Sequence, residues 1–101
     1  MNPSEPDMRA VLRTHLTRAI KHRDALAAGA LRSTLGAIDD AEALSAAERR
    51  VLSPQDVVAL VEAEIAQRRA ASEEIEEAGR PDRAADLRRE ADVIEAALRF
   101  P

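Results

Sequence analysis

A chain of 101 residues is long enough for one domain with a modest core and too short for a second. Hydrophobic residues make up 46% of it but aromatics only 1%, so the interior must be built from Leu, Ile, Val and Ala, and with 34% charged residues and 3 Gly the composition suits helices. The lack of Cys excludes disulfides, thiolate catalysis and cysteine metal sites, and a net charge of −4 works against non-specific binding to nucleic acid.

In chain order, Asp7 can cap a first helix in which Met8, Leu12, Leu16 and Ile20 recur every four residues, ending near Arg23. Asp24 is the candidate cap of a second, with Ala28, Leu31, Leu35 and Ile38 on one face and an extension to about Leu44. Gly29 and Gly36 interrupt that helix, each costing about 1 kcal/mol relative to Ala, and are read as sites of close helix packing or as simply tolerated. Ser53, Pro54 and Asp56 predict a capped start for the third helix, whose stripe Val57, Val58, Val61, Ile65 and Ile75 runs down to Gly79 as the C-terminal stop. Pro81 or Asp82 opens a fourth, in which Ala84, Leu87, Ala91, Ile94 and Leu98 form a coiled-coil-like seam. The short turn at Arg80-Pro81-Asp82 forces helices three and four into an antiparallel hairpin. The prediction is an all-α, four-helix bundle-like single domain over residues 1–101.

No apolar run approaches the roughly 20 residues that cross a bilayer. The polar, acidic N-terminus is unlike a signal peptide, so a cytoplasmic protein without membrane contact is expected. Charge is uneven along the chain. Residues 1–38 hold six basic side chains against three acids, a surplus of three, and since the total is −4 the remainder stands at −7. A nucleic acid would therefore meet the first two helices, with Arg9, Arg13, Lys21 and Arg32 as candidate contacts.

Arg68 and Ser72 continue the third helix's apolar stripe, so a partly buried guanidinium there needs a carboxylate; Asp39, Glu42, Glu64 and Glu90 are the candidates. A structural ion pair is the favoured role. His15 and His22 lie about two turns apart, ~10 Å along one helix, too far to chelate one metal ion, and are expected at exposed or rim positions. Glu73, Glu74, Glu76 and Glu77 read as a solvated face, with Arg69 and Arg80 compensating in part. No glycine-rich phosphate loop, nucleophile elbow or nucleophile-base spacing is present, so no catalytic residue, metal or cofactor is expected.

The stretch from Glu64 through Gln67-Arg68-Arg69, Ser72 and Gly79-Arg80 to Asp82 resembles the signature of the YqeY-like family, which is related to the C-terminal region of the GatB subunit of the aspartyl/glutamyl-tRNA amidotransferase. Leu31-Arg32-Ser33-Thr34-Leu35-Gly36-Ala37-Ile38 resembles the family's second-helix motif, and Glu90 to Leu98 the end of its fourth helix. The resemblance implies an accessory helical module that binds tRNA or a tRNA-handling enzyme and contains no part of an amidotransferase active site. It makes Arg32, Arg68, Ser72, Gly79 and Arg80 the motif positions. It also implies that a smaller helical subdomain follows, which would begin where this sequence reaches Pro101, so that part of the tRNA surface is expected to be missing. The alternative is a protein-protein interaction or homo-oligomerisation module using the fourth helix's seam.

Overall fold

The first helix begins where Asp7 accepts hydrogen bonds from the backbone N–H groups of Arg9 (3.1 Å) and Ala10 (3.4 Å), supplying partners for donors that have none within the helix. The computed structural model describes residues 7–101; the polar stretch 1–6, read above against a signal peptide, lies outside them. Among the described residues the chain is four helices: α1 (Met8–Lys21), α2 (Ala25–Ala47), α3 (Pro54–Glu77) and α4 (Pro81–Arg99). Helix α2 runs three residues past the expected Leu44, because Ala46 and Ala47 are good helix formers and nothing in the loosened pattern breaks the backbone ladder. Helix α4 opens at Pro81, whose missing N–H would have no partner there in any case.

The start of α3 is a complete capping box. Ser53 Oγ accepts from the Asp56 N–H at 3.0 Å and Asp56 Oδ2 accepts from the Ser53 N–H at 3.0 Å. The Ser53 backbone bond, then its hydroxyl, hold the Asp56 carboxyl below the usual carboxylate range. A carboxylate whose pKa falls on folding contributes stability that is present above its unfolded value and lost as pH drops through its folded value. Ser53→Ala is accordingly expected to cost about 1 kcal/mol. In the same variant, Asp56 titrated by NMR should move back up towards an ordinary aspartate.

Helices α1, α2 and α3 all end in the same way. The residue after the cap turns left-handed at Arg23 (φ 54°), Arg49 (φ 59°) and Gly79 (φ 83°), and the next N–H reaches back to Ala19, Ser45 and Ile75 respectively. This is the Schellman arrangement, and Gly79 satisfies it without a Cβ penalty. Arginine at the other two positions is strained by about 1–2 kcal/mol each.

Leu12, Leu31, Ile38, Val61 and Ile94 are essentially inaccessible to solvent, and each contributes about 2 kcal/mol by leaving water. Ala19, Ala27, Ala28, Ala30, Ala91 and Ala97 lie among them, small enough to let helix axes approach without an aromatic core. Helix α3 packs most extensively on α4, and α2 bridges α1 to α4. The result is an all-α bundle built on an antiparallel α3–α4 hairpin, as predicted. At 1.5 Å per residue α3 is ~36 Å long and α1 ~21 Å, so α1 covers only part of the hairpin. The seam residues Ala84, Leu87, Ala91 and Ile94 are buried inside the chain.

The glycines differ from one reading made above. A Cβ added to Gly29 or Gly36 would meet nothing within 4 Å, so neither permits close packing within this chain. Gly29→Ala and Gly36→Ala are each expected to stabilise the fold by about 0.5–1 kcal/mol, measurable as a raised chemical-denaturation midpoint.

Candidate functional site

Two polar features stand out: a hydrogen-bonded node between three helices and an unpaired cationic face on two of them. The node centres on Arg68, whose side chain is 13% exposed. Its Nε donates to Glu90 Oε1 at 3.1 Å, its Nη1 to the Glu64 carbonyl at 3.1 Å and Glu64 Oε1 at 3.3 Å, and its Nη2 to Ser33 Oγ at 3.2 Å. Glu90 Oε2 accepts in addition from Arg83 Nη1 at 3.3 Å. One guanidinium thus fastens α2, α3 and α4 together, with each of its three nitrogens engaged and four of its five N–H groups donating, which makes it a structural clamp.

Two of the four carboxylates considered for Arg68, Glu64 and Glu90, hold it. The other two, Asp39 and Glu42, lie 2.9 Å from Arg9 Nη2 instead. Ser33 and Arg83 were not singled out beforehand; the sequence sign of Ser33 was its place beside buried Thr34 within the Leu31–Ile38 motif. Ser72 is 2% exposed and donates to the Arg69 carbonyl at 2.6 Å, so its hydroxyl is internally satisfied. Gly79 makes the left-handed turn, and Arg80 is the exposed residue before α4, with its N–H on the Ile75 carbonyl at 3.1 Å.

Arg9 occupies a different place from the one expected for a free phosphate contact. Its side chain is 25% exposed and turned onto α2, and although both carboxylates are close, their angles leave the buried Nε and Nη2 without a well-formed hydrogen bond. Arg13, Lys21 and Arg32 are exposed, as are Arg18 and Arg23, and none of the five pairs with a carboxylate among the described residues. On a helical wheel of 100° per residue Arg13 and Lys21 lie on the side away from the buried Met8, Leu12 and Ala19, and Arg18 lies on the flank, so α1 presents all three to solvent. Among the described residues Arg49, Arg80 and Arg99 are also unpaired; they lie at helix ends, and Arg99 precedes Phe100, whose carbonyl lies beside His15 of α1.

The α3–α4 hairpin is the opposite case. Arg69 bonds Asp92 at 3.2 Å and approaches Glu95 at 3.4 Å, Arg88 bonds Glu76 at 2.7 Å, Arg83 bonds Glu90, and Arg89 reaches across to Asp24 at the start of α2. It is Arg88 that offsets the acidic cluster near the end of α3: its hydrogen bond and charge hold the Glu76 carboxyl below its ordinary range and raise Arg88 in turn. Paired cations on the hairpin and unpaired ones on α1 and α2 turn the charge asymmetry of the sequence into an asymmetry of the surface.

Between the end of α1 and the start of α2 lies an open depression of about 320 Å³, floored by Ala19, Ile20 and Ala28 and flanked by Arg23 and Arg32. His15 Nε2 lies 3.0 Å from the Phe100 carbonyl, joining α1 to the residue after α4, while His22 is exposed. Among the described residues no three His, Asp or Glu side chains are grouped to hold a metal ion, and no helix is long and apolar enough to cross a membrane.

A family model described as Yqey-like protein matches residues 9–98. The chain belongs to the YqeY-like family. The YqeY-like match takes in all four helices, and with them both the Arg68 node and the cationic face. Neither a curated protein nor a solved structure matches the chain.

Proposed function

We propose that this YqeY-like domain is a non-catalytic module, accessory to tRNA handling, that holds the phosphate backbone of a tRNA against the outer face of α1 and α2. The observation that carries this reading is the set of exposed, unpaired cations Arg13, Arg18, Lys21, Arg23 and Arg32 on those two helices and the turn between them, beside a hairpin in which Arg68, Arg69, Arg83, Arg88 and Arg89 are paired with carboxylates. Charges that no intramolecular carboxylate claims remain free to replace the counterions of a polyphosphate. An overall acidic chain can still do this, because among the described residues most of its unpaired acids, Glu62, Glu73, Glu74, Glu77, Asp82 and Asp86, lie on the hairpin, with Asp40 on α2 as the exception, so its field orients a polyanion towards α1 and the α1–α2 turn. Resemblance to the C-terminal region of the amidotransferase GatB subunit supports tRNA as the polyphosphate. Arg9 belongs to the fold in this reading, with Asp39 and Glu42 as its partners.

The test is a titration of the purified protein with total tRNA at low and at physiological salt. Saturable binding that weakens steeply with salt supports the reading, and no binding at low salt overturns it.

A second reading, a protein-interaction module, has its own observation: Leu44 and Val51, at the α2–α3 connection, are 64% and 93% exposed. Self-association through the α4 seam is not part of it, since that seam already packs inside the chain.

A further inference from the structure

We propose that the depression at the α1–α2 turn receives an unpaired nucleotide, its base resting on Ile20 and its flanking phosphates held by Arg23 and Arg32. This inference rests on the tRNA reading and sharpens it, because a track of phosphates needs cations alone. A continuous duplex offers an exterior of phosphates and hydroxyls and has nothing apolar to place on a hydrophobic floor. Here the unpaired cations border such a floor, and Ile20 is 51% exposed at its edge. The apolar surface is therefore unexplained by backbone binding.

Size and charge narrow the occupant. At about 320 Å³ the depression sits at the lower end of ligand pockets, roughly 300–1,000 Å³, so it suits one planar ring and little more. Asp24 also lines the depression, but its carboxylate is engaged by Arg89 and by the Ala27 N–H at 3.1 Å, which leaves the two flanking guanidiniums as the uncompensated charge. Guanidinium planes also stack on bases, a role that aromatic side chains usually share. The one aromatic residue of this chain, Phe100, lies beyond α4. Arg23 is further held in a left-handed backbone conformation that an arginine adopts only at a cost, which fixes where its side chain leaves the turn.

The experiment compares two RNA hairpins with the same stem, one blunt and one with four unpaired 3′ nucleotides, by fluorescence anisotropy at one salt concentration. Wild-type protein is expected to prefer the overhang by about fivefold, in line with covering a half-exposed isoleucine. Ile20→Ser should abolish that preference and leave the blunt hairpin's affinity unchanged, with an unaltered melting curve showing that the variant folds. Arg23→Ala together with Arg32→Ala should weaken both and the overhang more. Equal affinity of wild-type protein for the two hairpins, or a preference that survives Ile20→Ser, overturns the nucleotide pocket while the phosphate face stands. No binding of either hairpin overturns both. Displacement of the overhang preference by RNA but not by poly-glutamate supports the nucleotide, and the reverse assigns the depression to an acidic protein segment.

Discussion

Replacing Arg68 by Met is expected to lower the melting temperature by about 10–20 °C. The reason is the company the guanidinium keeps. Glu64 and Glu90 are only 15% and 17% exposed, and without Arg68 both carboxylates stay in the junction of α3 and α4 with Arg83 alone facing one of them. Removing one partner of a largely buried ion pair costs about 3–5 kcal/mol when burial is complete, and the residual exposure here reduces that to about 2–3 kcal/mol. Exchanging Arg68→Met together with Glu90→Leu should restore part of the loss, because Glu90 is then no longer an orphaned charge, although Glu64 still is. Thermal melts of the two single variants and the double variant form a cycle that measures the coupling. A wild-type melting temperature for Arg68→Met would show that the node does not hold the helices together.

The second large effect is on binding. Arg13→Ala, Lys21→Ala and Arg32→Ala combined are expected to weaken tRNA binding by about a hundredfold at low salt and to reduce the slope of log affinity against log salt by about two to three. Stability should hardly change, since all three side chains are exposed and unpaired, and surface substitutions of this kind stay within about 0.5 kcal/mol. Arg9→Ala should give the opposite signature. Its contact with Asp39 and Glu42 is intramolecular, so the salt slope should stay as it was while stability falls by about 1 kcal/mol. Parallel denaturation and salt-titration curves on the two variants separate fold from function. An unchanged slope in the triple variant would remove this face from the proposal.

How much of this was readable beforehand depends on the reach of each interaction. The start of α3 is fixed within four residues, Ser53 to Asp56, and its capping box is met in the structure as read. The seam of α4 repeats every three or four residues and its first four members are buried, because periodicity encodes a face whatever lies opposite. Gly79 needs its positive φ for local reasons and was placed correctly as the stop of α3. Glu64, one helical turn before Arg68, was also within local reach as a partner.

Sequence by itself therefore determined the four helices, the α3–α4 hairpin, the small-residue composition of the core and the half of the chain that carries surplus positive charge. Tertiary structure alone decided which charges remain free. Arg9 and Arg13 are one turn apart and alike in type, yet docking of α1 on α2 brings Asp39 and Glu42 to the first and no described carboxylate to the second. Glu90 reaches Arg68 from 22 positions away only because α4 folds back along α3, and Ser33 joins them only because α2 crosses both. The open space around Gly29 and Gly36, and the depression between Ile20 and Arg32, likewise follow from how two helices cross. Helix formation is settled by neighbours within a turn or so, whereas the pairing of a long charged side chain depends on the angle and register at which whole helices pack, and no short stretch of sequence contains that information.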